Sequence, residues 1–226
     1  MKATFSFISI VCILFMAGTL VGQEVKINTN MVIETDGTMR MDGNATVWDD
    51  MMVYPDATTR GSSKAPSWTK FKDNGSGSQG VFLLWFDPGE EQEVYFTMQI
   101  PHSYKVGTTL YPHVHWTTAS VTPSGTNVVW ALEYTVVAIG GNFPNTSTLT
   151  ANSVISATTP SGVGQHLITA LGTISGTGLG ISTILVCRFY RKAADAADTF
   201  ASSTGLLGID FHYEKDTEGS RNEFTK

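Results

Sequence analysis

The chain has 226 residues, of which 20 are acidic and 14 basic, giving a formal net charge of −6. Hydrophobic residues make up 42% and charged residues 15%, against about 25% charged in an average soluble domain. This composition excludes a disordered chain, because disorder needs low hydrophobicity and high charge. It also argues against nucleic-acid binding, because the sequence has no cluster of basic residues that could neutralise phosphates.

Residues 1–22 are predicted to be a secretory signal peptide. Lys2 gives a positive start, residues 5–16 are largely apolar, and small residues lead to Gly22. This segment is too short to favour a membrane span, and a retained N-terminal anchor is the alternative. We therefore expect a secreted or cell-surface protein without a membrane span after processing.

Residues 23–44 are predicted to form an N-terminal strand arm. Four apolar residues alternate on one face of the segment 24–34: Val25, Ile27, Met31 and Ile33. The Asp36-Gly37 turn then returns residues 38–41 as a hairpin. Such a strand can pair with its own sheet or add to the sheet edge of a neighbouring copy, and both arrangements remain open.

Residues 45–226 are predicted to form one domain rich in strands and nearly without helices. The clearest strand patterns cover 81–86, 93–100, 128–137, 166–171, 181–190 and 206–214. Loops rich in Gly, Ser, Pro and Asn join these strands, and no crossover helices separate them. This pattern predicts an all-β fold, an antiparallel β-sandwich of jelly-roll type, with an immunoglobulin-like sandwich as the alternative.

The two cysteines predict a protein without an internal disulfide. Cys12 lies in the predicted signal peptide, which leaves Cys187 alone in the processed chain. Cys187 lies in an apolar run typical of a buried strand, so we expect a small core residue rather than a reactive thiol.

The segment TTLYPHVHW, residues 108–116, carries the main candidate site. In a strand, His113 and His115 point to the same side, so both imidazoles could reach one metal ion. Candidates for a third ligand are Asp210, His212, Glu214 and Glu133. The motif could also line a threefold axis, where three copies supply six nitrogens, or it could be an ordinary polar sheet face.

Other chemistry receives little support. No G-x-S-x-G segment occurs, and residues 73–80 lack the lysine of a phosphate loop and the acidic residues of a calcium loop. The His113–His115 pair matches only the opening of a cupin motif, so a metal-dependent enzyme of that type is a third interpretation. Trp48 and Trp68 lie in loop-like sequence and are the candidates for a glycan-stacking platform, whereas Trp130 and Phe96 are expected in the core.

Several blocks of this chain resemble a family of uncharacterised proteins encoded in tailed-phage genomes and prophages. The blocks are ATVWDD at 45–50, KFKDNGSGSQGVF at 70–82, WFD at 85–87, YFTMQIPHSYKVGTTLYPHVHW at 95–116, LVCRFYR at 185–191 and IDFHYEKDTEGSRNEF at 209–224. The resemblance implies a virion-associated structural protein. The signal peptide departs from that pattern, because virion proteins assemble in the cytoplasm, and it suggests a cellular relative exported to a surface structure.

These patterns predict a secreted, non-enzymatic subunit that self-assembles into an extracellular filament, sheath or surface layer. The arm would connect subunits by adding a strand to a neighbour. The alternatives are a phage-type virion or adhesion protein that binds surface glycans, and a metal-binding cupin-like protein. Copies of the same chain are the expected partners. No cofactor is expected unless a metal ion binds at His113, His115 and His212.

Overall fold

The computed structural model describes residues 24–27, 30–120, 125–154 and 164–226, so the predicted signal peptide lies outside the described part. The strands are β1 (Val25–Ile27), β2 (Met31–Ile33), β3 (Met39–Met41), β4 (Val47–Val53), β5 (Thr59–Arg60), β6 (Ser67–Lys72), β7 (Val81–Phe86), β8 (Glu93–Gln99), β9 (Tyr111–Thr118), β10 (Asn127–Val137), β11 (Ser147–Val154), β12 (Leu167–Ala170), β13 (Ile184–Arg191) and β14 (Thr204–Lys215). Two 3-10 turns, Gly43–Ala45 and Pro55–Ala57, are the helical elements of this part. None of the described helices has the length and apolar character needed to cross a bilayer. The all-β prediction is confirmed.

Strands β7 to β14 form two sheets in the strand order of a jelly roll. One sheet has the order β12-β9-β14-β7 and the other β11-β10-β13-β8, and the paired strands are antiparallel. The chain changes sheet at every step from β7 to β14 except between β10 and β11. Strand β6 extends the first sheet beside β7, and β5 extends the second beside β8. The structure confirms the jelly-roll sandwich over the immunoglobulin-like alternative.

The core lies between the two sheets because each strand turns alternate side chains inward. On β8, Val94, Phe96 and Met98 are buried while Tyr95 between them is exposed, as the alternation predicts. Four fully buried rings meet in the centre at centroid separations of 5.1–6.1 Å: Phe86, Trp116, Trp130 and Phe189. The predicted core positions of Trp130 and Phe96 are therefore confirmed.

Strand β14 is central in the sheet that carries the histidine motif. One of its edges pairs with β9, and the other is shared between β7 at residues 204–206 and β4 at residues 209–215. The register shifts between Leu206 and Gly208, a β-bulge that re-aims the side chains after it. Because of this shift Leu206 and Ile209 both face the core, and Asp210 points to the outer face.

Residues 24–34 do not form the single strand that their alternation predicts. Strands β1 and β2 pair instead as an antiparallel hairpin, with Val25 opposite Ile33 and Ile27 opposite Met31. The four residues still share one face, because directly opposed residues of two paired strands point to the same side. Strand β3 pairs with β2 and completes a small three-stranded sheet.

This small sheet lies against its own chain. The backbone N–H of Met41 donates to the carbonyl of Asp216 at 2.7 Å, which links β3 to the C-terminal segment. Val32 is only 1% exposed, whereas Val25 and Ile27 are each 53% exposed. The arm is thus anchored through β3, while the apolar side chains of β1 remain exposed.

Cys187 on β13 is a core residue, as predicted. Its side chain is buried and makes no disulfide among the described residues. Burial raises the pKa of the Cys187 thiol to about 12, so the thiol stays protonated at neutral pH and is a poor nucleophile.

Candidate metal centre

Strand β9 turns the two motif histidines to the outer face of its sheet. Val114 and Trp116 are fully buried, whereas the side chains of His113 and His115 are 20% and 21% exposed. The prediction that both imidazoles share one face is confirmed.

Strand β14 brings an aspartate and a third histidine beside this pair. Asp210 is the register partner of His113, and His212 follows two residues later on the same face. The rings of His113 and His212 lie with their centroids 4.4 Å apart. The ligand atoms of His113, Asp210 and His212 all lie within 4.8 Å of one another.

Asp210 is the centre of this cluster. Its Oδ2 lies 2.9 Å from Nε2 of His212. Its Oδ1 lies 3.4 Å from Nε2 of His115 and 3.9 Å from Nδ1 of His113. In a tetrahedral zinc site with ligands about 2.1 Å from the ion, neighbouring ligand atoms are about 3.4 Å apart. The distances from Asp210 to His212 and His113, 2.9 and 3.9 Å, lie on either side of this value, so the three side chains suit a small cation bound among them.

Two buried polar atoms of the cluster lack a hydrogen-bond partner among the described residues, namely Oδ1 of Asp210 and Nδ1 of His113. The Asp210 side chain is only 2% exposed, so its carboxylate has lost most of its contact with water. An unsatisfied buried carboxylate oxygen is costly in free energy. A cation between the oxygen and the imidazole nitrogen would satisfy both atoms.

Two further residues border the cluster. Oδ1 of Asp50, on β4, lies 3.1 Å from Nε2 of His212. Nε2 of His166, just before β12, lies 2.8 Å from Nδ1 of His115. Sequence reasoning missed His166, because only the pairing of β12 with β9, with Ile168 opposite His115, brings it there. Four of the five histidines of the chain thus gather on this face.

The other two candidates for a third ligand do not join the cluster. Glu214 shares the outer face of β14 but accepts a hydrogen bond from Nζ of Lys105 at 2.8 Å. Glu133 lies on β10 in the opposite sheet, where its Oε2 is 3.4 Å from Nη1 of Arg188. The prediction of Glu133 as a ligand is therefore wrong. Its strand joins the other sheet, and the sequence does not show which sheet a strand joins.

Trp48 and Trp68 lie on strands rather than in loops, and they do not form one platform. Trp48 on β4 is opposite Glu214 on the outer face, and it is 58% exposed. Trp68 on β6 is opposite the buried Leu84, so it belongs to the other side of the sheet, and it is 49% exposed. Of the two, Trp48 is the one beside the histidine cluster.

No protein-family model and no curated protein matches the chain. Similar solved structures include the CBM22-1-GH10 modules of a Clostridium thermocellum endo-1,4-β-D-xylanase, at a TM-score of 0.39 and 11% identity over 78% of this chain and 30% of that one. The GH26-CBM35 β-(1,4)-mannanase of Podospora anserina gives a TM-score of 0.35 and 8% identity over 77% and 29%.

Tailspike protein 4 of bacteriophage CBA120 gives a TM-score of 0.29 and 12% identity over 74% of this chain and 19% of that one. This chain therefore matches less than a third of the length of each of these three proteins. The likeness is distant, and the jelly-roll fold is assigned from the strand order.

Proposed function

We propose that this protein is an exported, non-catalytic β-sandwich protein that binds a divalent transition-metal cation through His113, Asp210 and His212. The observation that carries the proposal is the buried Oδ1 of Asp210, which faces imidazole nitrogens and lacks a hydrogen-bond partner among the described residues. Two imidazoles and one carboxylate from a single chain are a ligand set that zinc takes when it keeps an open coordination position.

The solvent exposure of one side of the cluster supports a binding role over an enclosed active site. The side chains of His212 and Asp50 are 40% and 48% exposed, so solvent reaches this side of the cluster directly. A catalytic metal is usually held in a dry, shaped cavity. An exposed cation on a sheet face is better suited to contact a ligand or another surface.

Zinc is expected to bind the processed chain at one ion per chain and to raise its melting temperature. A cation that binds only the folded state stabilises it by about 2.7 kcal/mol at a hundred times the dissociation constant. For a domain of this size that corresponds to about 5–10 °C. Protein stripped with EDTA and titrated with zinc chloride, followed by calorimetry and elemental analysis, measures both quantities.

Asp210→Asn is expected to abolish the zinc-dependent shift while melting close to wild type in EDTA, because the amide keeps the shape of the side chain and an oxygen that can still accept from Nε2 of His212. His102→Gln is the matched control, since the ring nitrogens of His102 contact Ser220 and Ser182 instead. Equal zinc shifts in wild type and Asp210→Asn would contradict the proposal. A ratio of one zinc per three chains would place the ion on a threefold axis.

Self-association through the arm is a second candidate function, favoured by the exposed apolar edge of the small sheet. Strand β1 is paired on one side by β2, and no described strand pairs with its other side. Val25 and Ile27 on this strand are each 53% exposed. An open edge with apolar side chains is a template for strand addition by a second copy, which would build the predicted extracellular polymer.

Replacing both Val25 and Ile27 by lysine is expected to convert a self-associating chain into a monomer, because edge charges oppose strand pairing. Val186→Lys is the control, since this valine is 42% exposed on the outer face of the other sheet. Sedimentation velocity of the processed protein measures the result. A wild-type chain that is monomeric at all accessible concentrations would remove this candidate.

A further inference from the structure

An aromatic pair lies directly beside the proposed metal site. The rings of Trp48 and Tyr111 meet edge to face, with centroids 5.4 Å apart and planes at 81°. Trp48 precedes Asp50 by two residues on β4, and Tyr111 precedes His113 by two residues on β9. Two residues along a strand cover about 7 Å. The aromatic pair and the cluster therefore occupy adjacent positions on one sheet face.

The contact with Tyr111 helps fix the orientation of the indole, while more than half of the Trp48 surface remains exposed at 58%. Tyr111 itself is 37% exposed. An aromatic ring that is held in place yet open to solvent loses little conformational entropy when a flat ligand stacks on it. Beside the proposed metal site, such a ring offers a flat apolar surface on which a ligand can stack.

Hydrogen-bonding groups surround the same ring. Glu214 is the register partner of Trp48, and its Oε2 accepts hydrogen bonds from Nζ of Lys105 at 2.8 Å and from Oγ1 of Thr46 at 3.2 Å. The face thus presents an exposed indole ring, the carboxylate of Glu214 and the ammonium group of Lys105 together.

We propose that this face binds a saccharide, with a pyranose ring stacked on Trp48 and its hydroxyl groups reaching Glu214 and the cation held by His113, Asp210 and His212. The inference rests on the proposed metal-binding function for the cation. One face of a pyranose presents C–H groups, which are attracted to the negative π-face of an indole, and its rim carries hydroxyls. The combination of one aromatic wall with a few placed polar groups is the general design of small-ligand sites.

The inference separates Trp48 from Trp68, although the two tryptophans are similarly exposed. Trp68 stacks on Phe82 at a centroid distance of 6.3 Å on the opposite side of the sheet. Of the two tryptophans, only Trp48 therefore contacts a saccharide bound at the metal face. This gives an internal control for any effect of removing exposed aromatic surface.

The test is affinity electrophoresis of zinc-loaded protein in gels containing mixed-linkage β-glucan, xylan, galactomannan or polygalacturonate. At least one polysaccharide is expected to retard the wild type. Trp48→Ala is expected to bind at least about tenfold more weakly, the loss typical of a central aromatic anchor. Trp68→Ala should match wild type, and EDTA should remove the retardation.

Elemental analysis of Trp48→Ala tests saccharide binding separately from the proposed metal binding. The variant should keep its zinc, because Trp48 supplies no ligand. If wild type holds stoichiometric zinc but none of the four polysaccharides retards it, the saccharide inference fails and metal binding stands. Retardation that survives EDTA, or that Trp68→Ala loses as strongly as Trp48→Ala, would also overturn it. Absence of zinc in wild type would overturn the proposed function itself.

Discussion

Asp198→Ala is expected to lower the free energy of unfolding by about 3–5 kcal/mol, because it leaves a buried charge without its partner. The side chains of Arg191 and Asp198 are 0% and 1% exposed. Nε and Nη2 of Arg191 donate to the two carboxylate oxygens at 2.9 and 2.7 Å. For a domain of this size the melting temperature should fall by roughly 6–20 °C in a calorimetric scan.

The large expected loss of stability follows from the other contacts that the Arg191–Asp198 pair makes. Oδ2 of Asp198 also accepts the backbone N–H of Val129 on β10 at 3.0 Å. Nη1 of Arg191 donates to the carbonyl of Ser202 at 2.8 Å, just before β14. The pair therefore fixes the loop between β13 and β14 against the second sheet, and its loss frees donors and acceptors at several points.

Two variants test whether burial is the cause. Asp195→Ala removes a partly exposed carboxylate of the same loop, which contacts Nζ of Lys192 at 2.8 Å, and it should melt much closer to wild type than Asp198→Ala does. The double change Arg191→Met with Asp198→Leu replaces both charges by apolar groups and should be more stable than Asp198→Ala. If Asp198→Ala and Asp195→Ala have the same melting temperature, burial of the Arg191–Asp198 pair adds nothing to the stability of the fold.

The sequence predicted strands well where one face of the strand lies on the core and the other meets solvent. Strand β8 shows this alternation clearly, and the apolar run of β7 also marked a strand. The pattern was silent for β4, β6 and β11, which lie at sheet edges. An edge strand such as Val47–Val53 buries few side chains, so its sequence carries little periodicity.

The candidate site was predictable only in part for a related reason. Alternation within β9 placed His113 and His115 on one face without any knowledge of the fold. The sequence also offered Asp210, His212 and Glu214 as ligands, but only the pairing of β14 with β9 shows which of them lie beside His113. The alternation within one strand shows which face of the sheet a residue occupies. The residues of other strands that lie beside it on that face depend on the strand order.

Two glycines in the loop between β12 and β13 also show what the sequence alone does not predict. In the sequence Gly176 and Gly180 look alike. A Cβ built on Gly176 would lie 1.8 Å from the carbonyl oxygen of Thr108 and 2.6 Å from the hydroxyl of Tyr104, whereas one on Gly180 would meet nothing within 4 Å. Only the packed structure distinguishes a required glycine from a replaceable one.

Gly176→Ala is therefore expected to cost about 3 kcal/mol or more, at the upper end of overpacking effects, because a backbone carbonyl cannot rotate away as a side chain can. The strain falls where Leu110 and Ile174 exchange backbone hydrogen bonds of 3.0 and 2.9 Å, at the start of β9. Zinc affinity should fall with stability, since His113 follows three residues later. Gly180→Ala should be neutral or stabilising by about 0.4–1 kcal/mol, because alanine restricts the unfolded chain. Urea unfolding of both variants measures the difference, and equal midpoints would show that the loop does not press on β9.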